Sequence, residues 1–204
     1  MNFKILKNYL IFMIPLAILP IACTSPLQQQ TQNTTEQTDT TDENEIVKLL
    51  HELQQEFNRY EATNPQQGYC VTIATTPQLQ GRIQTYGGSR TTKLLSGISH
   101  DESHRNTGCT FCTKVKNHAE NLQDFHDGTC AVKSLNNQIL IIPNEHYDHL
   151  FVTPSDMQIK ILTNILKIRE EYPHNIQRPI EFHCGAAAGQ TVFHLHGRTG
   201  VYIN

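Results

Sequence analysis

The stretch GQTVFHLHGRTG, Gly189 to Gly200, decides how this chain is read. His194 and His196 stand one residue apart, each preceded by an apolar side chain, Phe193 or Leu195. Alternate side chains of a strand share a face, so a strand over Thr191 to His196 points both imidazoles the same way. Arg198 joins them if the strand runs on. One histidine on a strand is usually structural. Two on one face beside a small-residue turn suit nucleophilic attack on phosphorus: a neutral imidazole attacks through one nitrogen while a carbonyl holds the proton on the other. The preceding run, Gly185-Ala-Ala-Ala-Gly189-Gln190-Thr191, lets backbone N–H groups approach oxyanions closely.

Working outward, the pattern predicts five strands: Tyr69 to Thr75, Thr129 to Lys133, Gln138 to Ile142, Pro179 to Cys184, and Thr191 to His196. Asn136-Asn137 joins the second and third as a turn. Folding is expected to begin near Asp42. Ile46, Leu49, Leu50, Leu53, Phe57 and Tyr60 recur at helical spacing, and Asn64-Pro65 ends that helix. Pro77 to Gly108 is polar and reads as mostly loop. Thr153-Pro154-Ser155-Asp156 offers hydroxyl caps to a second helix that ends before Pro173. Hairpin-paired strands with helices outside predict an α+β domain on an antiparallel sheet of about five strands.

From about Gly108 to its end the chain resembles the histidine triad (HIT) superfamily of nucleotide hydrolases and transferases. The matching blocks are Cys109-Thr-Phe-Cys112-x-Lys-Val, then Ile-Ile-Pro143-Asn-Glu-His146, then a helix, then Gly185 with Ala188-Gly189-Gln190-Thr191-Val192-Phe193-His194-Leu195-His196. The resemblance implies that His196 is the nucleophile that carries a covalent nucleotidyl group. It implies that Gln190 and Thr191 hold the phosphate, and that His183 stands where the family commonly has a phosphate-contacting asparagine. It implies an acidic residue for the ribose; the nearest candidate is Asp127, with Glu181 a weaker substitute. Relatives commonly dimerise, so a homodimer is expected.

Zinc-containing relatives use the positions of Cys109, Cys112, His146 and His194 as ligands. Two thiolates and two imidazoles make a chemically sensible closed, structural zinc site. His149, three residues past His146, is a competing ligand. A disulfide of Cys109 with Cys112, or with Cys70, Cys130 or Cys184, is an alternative in an oxidising compartment, and free thiols are another.

Arg198 stands where the family has its third histidine. Arginine stays charged and cannot act as a general acid, but it can bind phosphate oxygens. It therefore favours a leaving group stable as an anion. A strand ending at His196 would instead leave Arg198 exposed and unconnected with chemistry.

The first residues form a separate unit. MNFKILKNYLIFMIPLAILPIAC pairs two early lysines with an apolar run too short for a membrane span of about 20 residues. Residues 1–22 resemble a bacterial lipoprotein signal with Cys23 as the lipidated residue; an ordinary secretory signal or an uncleaved anchor are the other readings. All three place the domain outside the cytoplasm: lipid-anchored in the bacterial cell envelope, periplasmic or at the outer membrane, with secretion as the other outcome. Residues 23–45 are Gln/Thr-rich and nearly free of apolar side chains, which predicts a flexible tether before a domain over 46–204. The formal net charge of −3 gives no phosphate-neutralising surface, so nucleic acid is not the expected partner. Three functions follow: a membrane-tethered HIT-like enzyme acting on a nucleotide, a non-catalytic zinc-stapled module binding a nucleotide or other anion, and a metal-handling envelope protein.

Overall fold

Along two neighbouring strands, Thr129–Lys133 and Gln138–Pro143, nearly every side chain is buried, and alternate residues enter two different cores. Ala131, Ile139 and Ile141 face one; Cys130, Val132, Leu140 and Ile142 face the other. A sheet covered on both faces reads as a continuous apolar run, as QILIIP does.

The computed structural model describes residues 39–63, 68–86, 108–116 and 121–204. In chain order the elements are α1 (Asp39–Thr63), β1 (Gly68–Ala74), β2 (Gln80–Tyr86), α2 (Thr110–Lys116), β3 (Asn121–Asp124), β4 (Thr129–Lys133), β5 (Gln138–Pro143), α3 (Ser155–Glu171), β6 (Ile180–Cys184) and β7 (Gly197–Tyr202). The strands form one seven-stranded sheet in the order β2-β1-β6-β7-β5-β4-β3, with antiparallel neighbours. The fold is thus α+β on an antiparallel sheet, as expected, with more strands than the predicted five.

Both long helices cover one face. Ile46, Leu49, Leu50 and Leu53 of α1 and Ile161, Leu162, Ile165 and Ile168 of α3 are buried with Val71, Ile73, Ile180 and Phe182 of the sheet. Each such side chain contributes about 1.5–3 kcal/mol of hydrophobic stabilisation. The short helix α2 lies over the opposite face, where Phe111, Cys112 and Val115 join Leu140 and Val192. Residues opposite each other in an antiparallel ladder share a face. Arg198 is paired with Leu140 on one side and Glu181 on the other, and Cys70 is paired with His183, so this row lies on the α2 face.

Several expectations need correction. Strand β2 falls inside Pro77 to Gly108, which was read as loop; its burial is confined to Ile83, so it lacks the apolar alternation of a buried strand. Helix α1 reaches back to Asp39, into the segment read as tether, because polar residues continue a helix that its apolar stripe has already anchored. The cap of α3 is Pro154 without a side-chain hydrogen bond, since the Thr153 hydroxyl turns back to the His149 carbonyl. The predicted strand over Thr191 to His196 is displaced: β7 begins only at Gly197. The His194 N–H donates to the Val192 carbonyl, and the Leu195 N–H to Tyr147, which withdraws this segment from the ladder. The signal-like segment and Cys23 lie outside the described residues. Among the described residues no helix is long and apolar enough to cross a membrane.

Candidate metal centre and histidine pocket

Cys109 immediately precedes α2 and Cys112 lies in its first turn, so the helix brings both thiols inward. The loop after β5 supplies His146, and the extended segment before β7 supplies His194. One ligand atom from each of the four lies within 4.8 Å of the others. Cys112 Sγ is 3.2 Å from His146 Nδ1 and 3.5 Å from His194 Nδ1, and Cys109 Sγ is 3.6 Å from His194 Nδ1. This cluster could hold a metal ion.

The far side of each ring is also fixed. His194 Nε2 lies 3.0 Å from the Pro143 carbonyl, and His146 Nε2 lies 3.4 Å from the Asp148 carboxylate. With its Nε2–H donated outward, each ring turns Nδ1 toward the thiols, which is how outer partners orient metal-binding imidazoles. Burial pushes His194 down to about 3, so it stays neutral, as a ligand must be. Among the described cysteines none is in a disulfide; Cys70, Cys109, Cys112, Cys130 and Cys184 are all buried. His149 takes no part in the cluster. Its Nδ1 is 2.7 Å from the Tyr69 hydroxyl, and its ring packs beside Phe57.

His196 belongs to a different site. Its Nδ1 lies 2.8 Å from the His194 carbonyl, which leaves Nε2 for a cavity of about 510 Å³. Burial pushes this imidazole down to about 4, so it too is neutral near pH 7. Phe111, Leu140 and Val192 form the apolar wall of the cavity; Lys114, Lys133 and Arg198 bring positive charge, and Thr191 lies at its edge. Among the described residues no carboxylate lines it. Phe111 meets both His194 and His196 edge-on, at 5.9 and 5.2 Å between ring centres, and so separates centre from cavity with an apolar ring. Arg198 is therefore a strand residue facing the cavity, and the reading that left it exposed beyond the strand is overturned.

Three of the predicted binding residues have bonding partners within the protein. Gln190 is buried and spent on the backbone: its Oε1 accepts from Gly185 N–H at 2.7 Å and its Nε2 donates to the Asp148 carbonyl at 2.8 Å. It holds the Gly185 to Gly189 loop in place, and it does so next to His146's partner Asp148. Asp127 is a structural brace. One oxygen accepts from the N–H and hydroxyl of Thr129, and the other from the Asn164 amide of α3 at 2.7 Å. His183 lies beneath that loop, on the same face of the sheet as Arg198 but one row away, since Arg198 pairs with Glu181 and His183 with Cys70. Its Nε2 is 3.3 Å from Glu181, and the Cβ that a side chain at Gly189 would add falls 3.6 Å from its Nδ1.

Sequence reasoning gave no role to Lys114, Lys133, Phe111 or Asp148. The His146-x-Asp148 spacing was a visible signal for the last. Phe111 and Lys114 depend on α2, a seven-residue helix too short to announce itself by periodicity, and Lys133 ends β4 at the cavity.

No family model matches the chain, and no curated protein does. Among solved structures it is similar to the crystal structure of SMU.412c from Streptococcus mutans UA159, at 22% identity and a TM-score of 0.39, over 55% of this chain and 74% of that one.

Proposed function

We propose that this chain is a HIT-like nucleotide hydrolase or nucleotidyltransferase acting through a covalent intermediate on His196. The observation that carries the reading is the arrangement of His196: Nδ1 is held by the His194 carbonyl and Nε2 is turned to a basic, carboxylate-free cavity. In the proposed first step Nε2 attacks the phosphorus of a nucleotide. An N–P bond forms, the bond from phosphorus to the leaving oxygen breaks, and that oxygen leaves with the electron pair. The proton on Nδ1 stays against the carbonyl, which stabilises the charged ring. Arg198 stabilises developing negative charge and gives up no proton, so the leaving group departs as an anion. Water or a second acceptor then attacks the same phosphorus and releases His196.

The ion assigned to Cys109, Cys112, His146 and His194 is zinc, because two thiolates and two imidazoles are the donor set of closed structural sites. When bound it supplies a cross-link between the start of α2, the end of β5 and the segment before β7, and no chemistry. The lipid on Cys23 and the envelope location belong to the same proposal.

One observation favours a second reading, a non-catalytic module for a nucleotide or other anion: the Gln190 amide, expected at the phosphate, bonds the backbone through both its oxygen and its nitrogen. Turnover decides between them. The chain is screened against mono-, di- and dinucleotides and nucleotide sugars for a rise in thermal midpoint, and the responders are tested for hydrolysis. Loss of hydrolysis in His196→Ala, with the midpoint rise kept, supports the enzyme; equal turnover in His196→Ala removes the mechanism.

A further inference from the structure

Four polar side chains form a square on β1 and β6. Cys70 stands opposite His183 in the ladder and Thr72 opposite Glu181, and strand alternation points all four to the α2 face. Residues directly opposite each other hold their Cβ atoms about 4.5–5.5 Å apart, which brings a thiol within reach of an imidazole. Cys70 Sγ lies 4.0 Å from Thr72 Oγ1, and His183 Nε2 lies 3.3 Å from Glu181 Oε2. Thiol, imidazole and carboxylate thus follow one another across two strands. The chemistry proposed at His196 uses neither Cys70 nor Glu181.

We propose that Cys70 is a modification site, oxidised by hydrogen peroxide to a sulfenic acid, with His183 as its charge partner and proton donor and Glu181 holding that ring. A charged imidazole beside a sulfur favours the thiolate, the nucleophilic form of cysteine. The thiolate attacks one peroxide oxygen. An S–O bond forms, the O–O bond breaks, and the departing oxygen takes the electron pair and a proton from His183, leaving as water. Sulfur is oxidised and the peroxide is reduced. An imidazolium carries an N–H on each nitrogen. Glu181 holds the one on Nε2; Nδ1, buried and without a hydrogen-bond partner among the described residues, keeps the other to give.

Size selects the oxidant. Cys70 is 5% exposed, which shuts out bulky electrophiles. The side chains of His183 and Glu181 are 19% and 21% exposed, and they give a water-sized reagent its way in. The electrostatics agree. Burial alone would push His183 down, but the side chain of Cys70 first and that of Glu181 second outweigh it and hold the imidazole at about 9. Arg198 on β7 opposes that rise, and His196 is the other ring that feels the charge of His183. The remaining thiols differ. Burial pushes Cys130 up to about 11 and Cys184 up to about 12, and no histidine acts on either. Cys184 faces the helix-packed core on the other side of the sheet, and Cys130 lies on β4, four strands away. Neither is placed to close a disulfide with Cys70. The sulfenic acid therefore persists until an external thiol reduces it.

The test is timed exposure of the full-length chain to hydrogen peroxide, quenched with catalase and unfolded in dimedone, which tags sulfenic acids. Peptide mass spectrometry then reads each cysteine. Near pH 7 Cys70 should be tagged at least about tenfold faster than Cys130 and Cys184, because only the thiolate attacks. His183→Gln should slow Cys70 about tenfold near pH 7, and its rate should climb toward about pH 9, as an ordinary thiol with a pKa of about 8.5 ionises. The wild-type rate should stay nearly flat over that range. Glu181→Gln should slow Cys70 less, with part of the rate restored in Glu181→Asp. Cys70 tagged no faster than Cys130 and Cys184, or tagged equally fast in His183→Gln, overturns the proposal. Both wild-type measurements, the ranking of the three cysteines and the pH profile, decide the question even if His183→Gln does not fold.

Discussion

The carbonyl of His194 lies 2.8 Å from Nδ1 of His196, while the ring of His194 turns its own Nδ1 to Cys112 Sγ at 3.5 Å. One residue thus serves both sites: its ring completes the cysteine–histidine cluster and its backbone aims the second histidine. Anything that disorders the cluster should therefore disturb His196, even though no ligand of the cluster faces the cavity.

The metal centre can be tested through stability. Cys112→Ser removes the ligand atom nearest to both imidazoles. Elemental analysis of the wild type should give one zinc per chain, and the variant little. Because metal binding energy is folding energy where a site forms only in the folded state, unfolding in denaturant should show a loss of at least about 2 kcal/mol. Wild-type protein that purifies without metal, with the same stability as the variant, would contradict the assignment.

Gly197 follows His196 directly, and its bare Cα lets β7 pass close to the helix-packed core. A Cβ there would press on Ile165 Cδ1 of α3 and come within 2.9 Å of Phe182 Cε1. Gly197→Ala should cost about 1–3 kcal/mol, the range for overpacking, and should lower activity further by moving His196. A variant as stable and active as wild type would show that the core yields there.

Asp127 distinguishes a brace from a sugar-binding residue. Its carboxylate joins Thr129 to Asn164, which is itself buried in α3. Asp127→Ala should lower stability by about 1–3 kcal/mol by stranding those donors. Binding of a responding nucleotide, followed by titration calorimetry, should stay the same. A clear fall in nucleotide affinity without loss of stability would restore the ribose role.

Stability should depend on pH through His183. Its folded pKa of about 9 stands above the ordinary 6.5, so the charged form is favoured by folding. That contribution is fully present below 6.5, shrinks above it, and is gone once the pH has passed about 9. Denaturant midpoints should therefore fall across this window in the wild type and fall less in His183→Gln. Parallel curves would mean that the pairing of His183 with Cys70 and Glu181 contributes no net stability.

The site was legible in the sequence where its residues declare themselves by type and spacing. Cys-x-x-Cys, Pro143-x-x-His146 and His194-x-His196 named all four members of the cluster, and the cluster forms. What failed was the use of strand periodicity to place side chains. His194 and His196 sit outside the ladder because two backbone N–H groups, of His194 and Leu195, find carbonyls elsewhere, and no residue pattern encodes that choice. Gln190 and Asp127 were legible as polar residues near the site but not by their bonds within the protein, because polar side chains look alike whether they face a ligand or satisfy the backbone. Two elements were hidden as well. Helix α2 is short and β2 is largely polar, so neither has the apolar repeat by which α1 and α3 were found.

The most direct test is mass spectrometry of the full-length protein, mixed with a responding nucleotide and quenched before turnover is complete. A nucleotidyl adduct on His196, absent from His196→Ala and present in a folded, metal-loaded sample, is the result this account predicts. A folded, metal-loaded protein that hydrolyses the nucleotide without any adduct on His196 would contradict it.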